Sequence, residues 1–319
     1  MTKHRKLKIK LLIVYLISIL PFLIFIFYLF DLWHDTLRIQ ALRENTDFAK
    51  LAAEYVKESF QVGQITSDII AQNNLYDVIV KDKENGRLIL KDIIAKLPSV
   101  NSINIMNLDG SSLAFSFDNP KREEEINIQT KPYFQQALNT KKTALSTVII
   151  SSFSGKRLII TAVPLLRNNE TVAIITATID LEYLKKVTEN VLEKKKHSDG
   201  KNTLMLLDDK GQIAFITNQE FLKEEELGLL SDTPYFREAS KGKTSPIENQ
   251  LLPIVNTRVN GVSVPVDHQG WVILRVVPVE ELFAPLFMVQ NMIWLIIASG
   301  LFFAGGLFSF YLRKIRIVY

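Results

Sequence analysis

Lys131-Pro132-Tyr133-Phe134-Gln135-Gln136-Ala137-Leu138 comes back about a hundred residues later as Thr233-Pro234-Tyr235-Phe236-Arg237-Glu238-Ala239-Ser240. In each copy proline stands at the first position of an expected helix. Its missing N–H has no helical partner to lose there, and its φ is already near helical. Thr130 ahead of the first copy and Ser231-Asp232 ahead of the second are the expected caps. One such peptide is an ordinary loop-to-helix junction. Two in matching contexts are a repeat.

Working outward, the first copy is preceded by Ile103, Ile105, the turn Asn107-Leu108-Asp109-Gly110, then Leu113, Phe115 and Phe117. This pattern predicts a hairpin of alternating strands. After the copy come Ser146 to Ile150, the turn Phe153-Ser154-Gly155-Lys156, Leu158 to Val163, a second turn at Arg167 to Glu170, and Val172 to Ile179. The expectation is an antiparallel sheet of about five strands with one inserted helix, and a short helix from Leu181 to Leu192 after Asp180. Beyond a polar linker (Lys194 to Gly200) the plan repeats. Leu204 to Leu207, Asp208-Asp209-Lys210-Gly211 and Ile213 to Phe215 echo the first hairpin. Matched residue by residue, Asp109 answers to Asp209, Ala114-Phe115 to Ala214-Phe215, Tyr133 to Tyr235, Pro164 to Pro265, and Ile179 to Val277. A period near 100 residues is too long for a solenoid, whose units run roughly 20–50. The fold class is therefore α+β, with two tandem sheet-plus-helix modules.

Ahead of the modules, Asp31 to about Asp68 reads as one long helix, with Phe48, Leu51, Ala52, Tyr55 and Val56 at helical spacing. That stripe can pack on its own domain or on a second copy of the chain, and both readings stay open. Gly63 and Asn73-Asn74 are the expected weak points, and a second helix, Arg87 to Leu97, ends at Pro98.

Two uncharged runs, Leu11 to Phe30 and Leu282 to Leu312, flank all of this. Each is long enough for a hydrocarbon core of ~30 Å, which takes about 20 helical residues. The first run ends in Phe27-Tyr28-Leu29-Phe30 without a small-x-small cleavage site, so it reads as an uncleaved anchor. Lys3, Arg5, Lys6, Lys8 and Lys10 precede it; Arg313, Lys314 and Arg316 follow the second run. The positive-inside rule then puts both ends in the cytoplasm and the region between them outside. These basic residues exceed the chain's net charge of +4, so the remainder is net acidic and offers no nucleic-acid signal. Cysteine is absent, which is compatible with an extracytoplasmic domain built without disulfides. The expected organisation is a stub (1–10), a transmembrane helix (11–30), helices leading into the sensor (31–97), a first module (98–192), a second module (193–285), a second transmembrane helix (286–312) and a stub (313–319).

In order and spacing, these residues resemble the double Cache sensors of bacterial receptors. The residues that carry the resemblance are Asp109-Gly110, Lys131 to Phe134, Phe153 to Lys156, Ala162-Val163-Pro164 and Ile179-Asp180-Leu181, with the second-module echo. The resemblance implies two PAS-like modules, a small ligand in the first, and an output module (histidine kinase, cyclic-dinucleotide enzyme or chemotaxis rod) after the second span. Carried over by position, it implies a ligand site made by Lys131, Tyr133, Phe134, Ser151 and Asp180. Lys131 stands where the family has a carboxylate-binding arginine. Amino-acid-binding members commonly carry tryptophan at the position of Tyr133 and an acid near Ser151. Their absence here, with lysine lacking the bidentate fork of arginine, weakens amino-acid recognition. A small carboxylate or another polar metabolite fits Lys131 with Asp180. Asp180 also has a plainer reading as the cap of the helix after it.

No catalytic or cofactor signature accompanies this. The four histidines, His4, His34, His197 and His268, lie apart without zinc-like spacing, and no nucleophile elbow, P-loop or dinucleotide fingerprint occurs. Glu123-Glu124-Glu125 and Glu224-Glu225-Glu226 precede the two Pro-Tyr-Phe helices as solvated loops or mobile lids. Gly300, Ala304, Gly305 and Ser309 give small-xxx-small spacing to the second run, which suits close helix approach in lipid. The expected protein is therefore not an enzyme and takes no cofactor. It is a two-pass bacterial plasma-membrane sensor for a small polar or carboxylate metabolite, a homodimer, with a membrane signalling partner where no output module follows. Only Arg313 to Tyr319 remain after the second run, so the expectation includes a sensor separated from its histidine kinase, diguanylate cyclase or chemoreceptor half. The competing expectation is a polysaccharide co-polymerase-like regulator of glycan chain length, which would need long external helices.

Overall fold

The computed structural model describes residues 3–72, 75–116, 127–151, 155–193, 202–218, 230–254, 256–266 and 269–318. The expected Glu123–Glu125 and Glu224–Glu226 lids, Phe117, the 194–200 linker, His197, His268 and the tip of the 153–156 turn lie outside them. The chain divides into two compact units, Glu44–Pro278 and a smaller one of residues 1–43 with 279–319.

The smaller unit is helical. Helix α1 (Lys3–Phe60) begins in it, and Pro21 lies inside that helix. Among the described residues one helix, read from Leu20, is long and apolar enough to cross a membrane, with mean hydropathy 1.4 and none of that apolar window buried. At the other end of the chain the described apolar helix, Ala284–Gly300, is shorter. His34 stacks on Phe283 with ring centroids 4.3 Å apart, and Phe27 meets Trp294 edge-on at 6.2 Å.

In the larger unit, α1 is followed by α2 (Val62–Gln72), α3 (Leu75–Lys81) and α4 (Lys83–Ala95). The helical break falls at Gln61 rather than at Gly63. Gly63 lies inside α2 because it must pass close to the first sheet: a Cβ there would come within 2.6 Å of Thr161 Cγ2. The expected second helix starts earlier than Arg87. Asp82 caps it, its carboxylate accepting from Glu84 N and Asn85 N, and the short α3 precedes it.

Two antiparallel sheets follow. The first runs β2-β1-β6-β5-β3, with β4 also on β5, and comprises β1 (Val100–Met106), β2 (Ser112–Phe115), β3 (Ala144–Leu145), β4 (Ile149–Ile150), β5 (Arg157–Arg167) and β6 (Glu170–Ile179). Helix α5 (Pro132–Thr140) is inserted after β2, and α6 (Leu181–Glu193) follows β6. The second runs β8-β7-β11-β10-β9, from β7 (Thr203–Leu207), β8 (Ile213–Ile216), β9 (Ser245–Leu252), β10 (Thr257–Pro265) and β11 (Val272–Pro278), with α7 (Pro234–Ala239) inserted. The chain continues into α8 (Val279–Leu282) and α9 (Ala284–Val318).

Strand alternation gives each sheet two different faces. In the first, Ile103, Ile105, Ile175 and Ala177 pack with Ile70, Ile79 and Leu90 of α2 to α4, while Met106, Ala162 and Ile174 pack with Tyr133, Phe134 and Ala137 of α5. A further core is shared by both modules. Ala49, Ala52, Val56 and Phe60 of α1 lie against Ile159 and Ile179 of the first sheet and Leu204, Leu206, Val262 and Ile273 of the second. Phe60 meets Trp271 edge-on at 5.1 Å.

The duplication is present in the hydrogen bonds. Ile128 N donates to Gly110 O and Leu230 N to Gly211 O, both at 2.9 Å. Ser116 Oγ accepts from Ile103 N, and Thr217 Oγ1 from Leu204 N. Both turn glycines have positive φ, 82° at Gly110 and 77° at Gly211. The register differs from the sequence match by one residue. Ile105 pairs with Ala114 and Leu206 with Phe215, so Ala114 corresponds to Phe215 and Asn107 to Asp208. The Ala-Phe identities that set the expected match are offset from the bonded equivalence. The caps differ as well. The N-cap residues are Lys131 and Thr233, immediately before the prolines, and neither makes a side-chain cap bond. Proline fixes where the helix starts, which leaves Thr130 and Ser231-Asp232 outside it.

Candidate ligand-binding site

Lys131, Tyr133 and Phe134 enter through α5. Phe134 is fully buried and Tyr133 nearly so, both against Met106, Ala144, Ala162 and Ile174, with Ile149 and Ile160 at the margin. Burial pushes the Tyr133 hydroxyl up to about 12, so it is a neutral phenol at physiological pH. Lys131 is exposed at the N-cap. Its backbone bonds back to Ile128, which places it just after the segment held by the first hairpin turn.

Asp180 lies toward the other end of β1. Its N–H donates to Ser99 O, and its carboxylate accepts from Tyr183 N at 3.0 Å. That is the capping arrangement for α6, in which the residue before the helix satisfies the third helical N–H. Ser151 closes the turn between β4 and β5. Its N–H donates to Lys156 O and its carbonyl accepts from Gly155 N, each at 2.9 Å. The structure thus joins Tyr133 and Phe134 in one cluster, while Lys131, Ser151 and Asp180 are held by separate local bonds.

Four residues that the sequence reading did not single out share the α5 face of the sheet. Strand pairing sets Ser102 opposite Thr178 and Asn104 opposite Thr176, with Met106 and Ile174 next along, and Ile160 and Ala162 on β5. Ser102 Oγ donates to Thr178 Oγ1 at 2.9 Å, and Asn104 Nδ2 donates to Thr176 Oγ1 at 3.3 Å. Ser102 is 2% exposed and Thr176 3%. Asn104 Oδ1 is buried without a hydrogen-bond partner, and so is Ser112 Oγ on the residue opposite Met106. An unpaired buried acceptor costs about 1–3 kcal/mol. Nothing on this floor is charged, so the group it suits is a neutral or singly charged donor rather than a dianion.

The second module replaces the centre of this floor. Met205 and Leu274 occupy the positions of Asn104 and Thr176, and Val276 that of Thr178. Together with Leu207, Tyr235 and Phe236 they form a filled apolar core. The Tyr235 hydroxyl is buried there without a bond partner; on the same face Thr203 stands at the position of Ser102 and Ser263 at that of Ala162, with Ser263 Oγ donating to Tyr235 O. The signal that could have revealed the first-module floor is the period-two placement of Ser102, Asn104, Thr176 and Thr178 in strands otherwise rich in isoleucine.

Residues 34–286 match the family model for the Cache domain, dCache_1. The chain belongs to the Cache domain family. No curated protein matches this Cache chain in sequence. Solved structures share its fold. One is the extracellular domain of rpHK1S-Z16, assigned as a histidine kinase, with TM-score 0.58 and 15% identity over 75% of this chain and 95% of that one. Another is the periplasmic sensory domain of the Campylobacter jejuni chemoreceptor Tlp1, with TM-score 0.56 and 16% identity over 78% and 99%. A third is the ligand-binding domain of Campylobacter jejuni Tlp3 in complex with L-valine, with TM-score 0.53 and 16% identity over 78% and 96%.

Proposed function

We propose that this Cache chain is the sensor region of a membrane-anchored receptor, and that its first module binds a small polar metabolite between the Ser102–Asn104–Thr176–Thr178 floor and α5. The observation that carries the reading is the contrast between modules. At equivalent positions one presents a buried, half-satisfied amide and the other presents Met205 and Leu274. A buried unpaired acceptor calls for an explanation, and a donor group on a ligand supplies one. Valine in the Tlp3 complex makes amino acids the first class to test. The absence of an acidic side chain on this floor favours ligands whose amine is replaced by an amide or hydroxyl.

In this reading Tyr133 and Phe134 wall the site, Lys131 steers a carboxylate at its mouth, and Ser151 borders it from the β4–β5 turn. Asp180 acts on the site through α6. The flanking basic residues and the second apolar run support a reading in which the larger unit lies outside the cytoplasm and α9 is a second span; the same reading has the chain act as a homodimer with a signalling partner. In this reading the modules have the boundaries 98–192 and 193–285. The co-polymerase alternative is not favoured, since two antiparallel sheets stand where it needs long helices.

The test is thermal unfolding of the purified chain in detergent against a panel of amino acids, their amides, hydroxy acids and polyols. One class is expected to raise the unfolding temperature. Asn104→Met combined with Thr176→Leu is expected to abolish the rise, and Lys131→Ala to weaken it for carboxylate ligands alone. A panel that shifts nothing, or a shift that survives the floor substitutions, overturns the assignment.

A further inference from the structure

The segment from Ala144 to Ile150 touches both modules. Ala144 and Ile149 pack with Phe134 in the α5 cluster, whereas Leu145 and Val148 pack into the core shared with Leu204, Leu206 and Phe215. Ser146 ties the segment to β5, donating from its N–H to Ile160 O and accepting from Ile160 N at Oγ. Two amides of the segment reach across. Leu145 N donates to Gln269 Oε1 at 3.1 Å, and Val148 N donates to Asp208 Oδ2 at 3.0 Å. On the neighbouring strand β5, the Arg157 guanidinium donates to Ile213 O.

Asp208 is 0% exposed. Its Oδ1 accepts from Lys210 N and Gln212 N, which closes the β7–β8 turn, so Oδ2 alone serves the first module. The same turn position in the first module is Asn107, with the same backbone bonds: Asn107 N to Ser111 O, and Gly110 N to Asn107 O. Asn107 spends its side-chain amide inside its own turn, on Ser111 Oγ at 2.9 Å. In that turn the Ser111 N–H goes to Asp109 Oδ1 instead, so different side chains close the two turns. In the second module one carboxylate has both roles: Oδ1 closes the turn, and Oδ2 bridges the modules.

We infer that Asp208 is the positioning residue through which a ligand seated against α5 acts on the second module. The inference rests on the ligand site proposed above. A ligand that shifts α5 moves Ala144 and Ile149, and the same short segment presents Val148 N to a buried carboxylate at the head of the second sheet. A charged acceptor gives the stronger bond, and burial screens it from water.

Asp208→Asn separates the two roles: Oδ1 keeps the turn, and the new NH2 faces the Val148 N–H, donor against donor. The experiment is amide hydrogen exchange followed by mass spectrometry on the full chain in nanodiscs, without metabolite. The α5 cluster is loosened by Phe134→Leu and, independently, by Ile149→Val. With Asp208 present, each is expected to speed exchange at residues 144–150 and, by at least about fivefold, at 203–216, the lower bound of typical site-to-site coupling. With Asp208→Asn the effect at 144–150 persists and that at 203–216 is lost. An equal response at 203–216 in both backgrounds, or in neither, overturns the inference. No ligand is needed, so an unresponsive metabolite panel would remove the site reading and leave this result to be judged by itself.

Discussion

The Asn104 side-chain amide donates to Thr176 Oγ1 at 3.3 Å across adjacent strands and leaves its other end, Oδ1, buried and unbonded. Replacing the pair by the Met205–Leu274 combination of the second module is expected to raise stability by about 1–2 kcal/mol, because the desolvated acceptor disappears. Denaturant unfolding of Asn104→Met with Thr176→Leu measures it. A loss of stability would mean that the free amide end is no net cost to the first module.

Asp180 is assigned here to α6. Asp180→Ala is expected to cost about 1 kcal/mol, as for other helix caps, and Asp180→Asn only a few tenths, since the amide oxygen can still accept from Tyr183 N. If Asp180→Asn removes a metabolite response while stability holds, the carboxylate contacts the ligand directly.

Tyr133 makes stability depend on alkaline pH. Its folded value of about 12 lies above the ordinary phenol value of 10.0 because burial disfavours phenolate. The contribution is complete below pH ~10, where neither state is ionised, and is lost as pH rises toward 12 while the unfolded chain sheds its proton. At about 1.4 kcal/mol per unit of pKa, the loss amounts to about 2–3 kcal/mol. Tyr133→Phe should show a correspondingly flatter decline in unfolding midpoint across that window.

Two turn glycines differ in kind. At Gly110, φ is +82° and a Cβ would stand 2.3 Å from Gln129 N; at Gly155, φ is +67° with open space around. Gly155→Ala is expected to cost about 1–2 kcal/mol, the conformational term alone. Gly110→Ala should exceed it clearly, because the backbone leading to α5 must shift. Parallel melting curves test the ordering, and Gly211→Ala should behave like Gly110→Ala, with its Cβ 2.6 Å from Ser231 N.

Arg275 is a buried cation with little to hold it. It is 5% exposed, its Nε and Nη1 lack hydrogen-bond partners, and its guanidinium lies 4.2 Å from the Phe48 ring centroid. Burial pulls its pKa down to about 10, with Glu44 opposing the shift, so it remains charged at neutral pH. Arg275→Met is expected to be stabilising by about 1–3 kcal/mol. A destabilised variant would show that the guanidinium's contact with Phe48 outweighs its desolvation.

The two modules were legible because Pro132-Tyr133-Phe134 and Pro234-Tyr235-Phe236 obey local rules: proline fixes a helix start, and the two aromatics point into a core wherever the helix lands. Asp180 was legible in its plainer form for the same reason. The hairpin register was not, since Ala114-Phe115 and Ala214-Phe215 match by letter while the hydrogen bonds pair one residue further on. Helix α3 was missed because seven residues carry too little periodicity. The floor escaped for a different reason. Alternating polar residues in a strand ordinarily face water, and only the long-range placement of α5 turns Ser102, Asn104, Thr176 and Thr178 into an interior surface.

The core shared through α1 bears on how such a chain can be recombined. Ala49, Ala52, Val56 and Phe60 meet Ile159 and Ile179 on one side and Leu204, Leu206 and Ile273 on the other. A crossover placed in the linker between the modules would hand each recipient half of a seam cut for a different partner. The smallest piece that can be transplanted into another receptor intact is therefore the whole of Glu44–Pro278, and a chimera that swaps ligand preference should be made by recoding the floor residues in place.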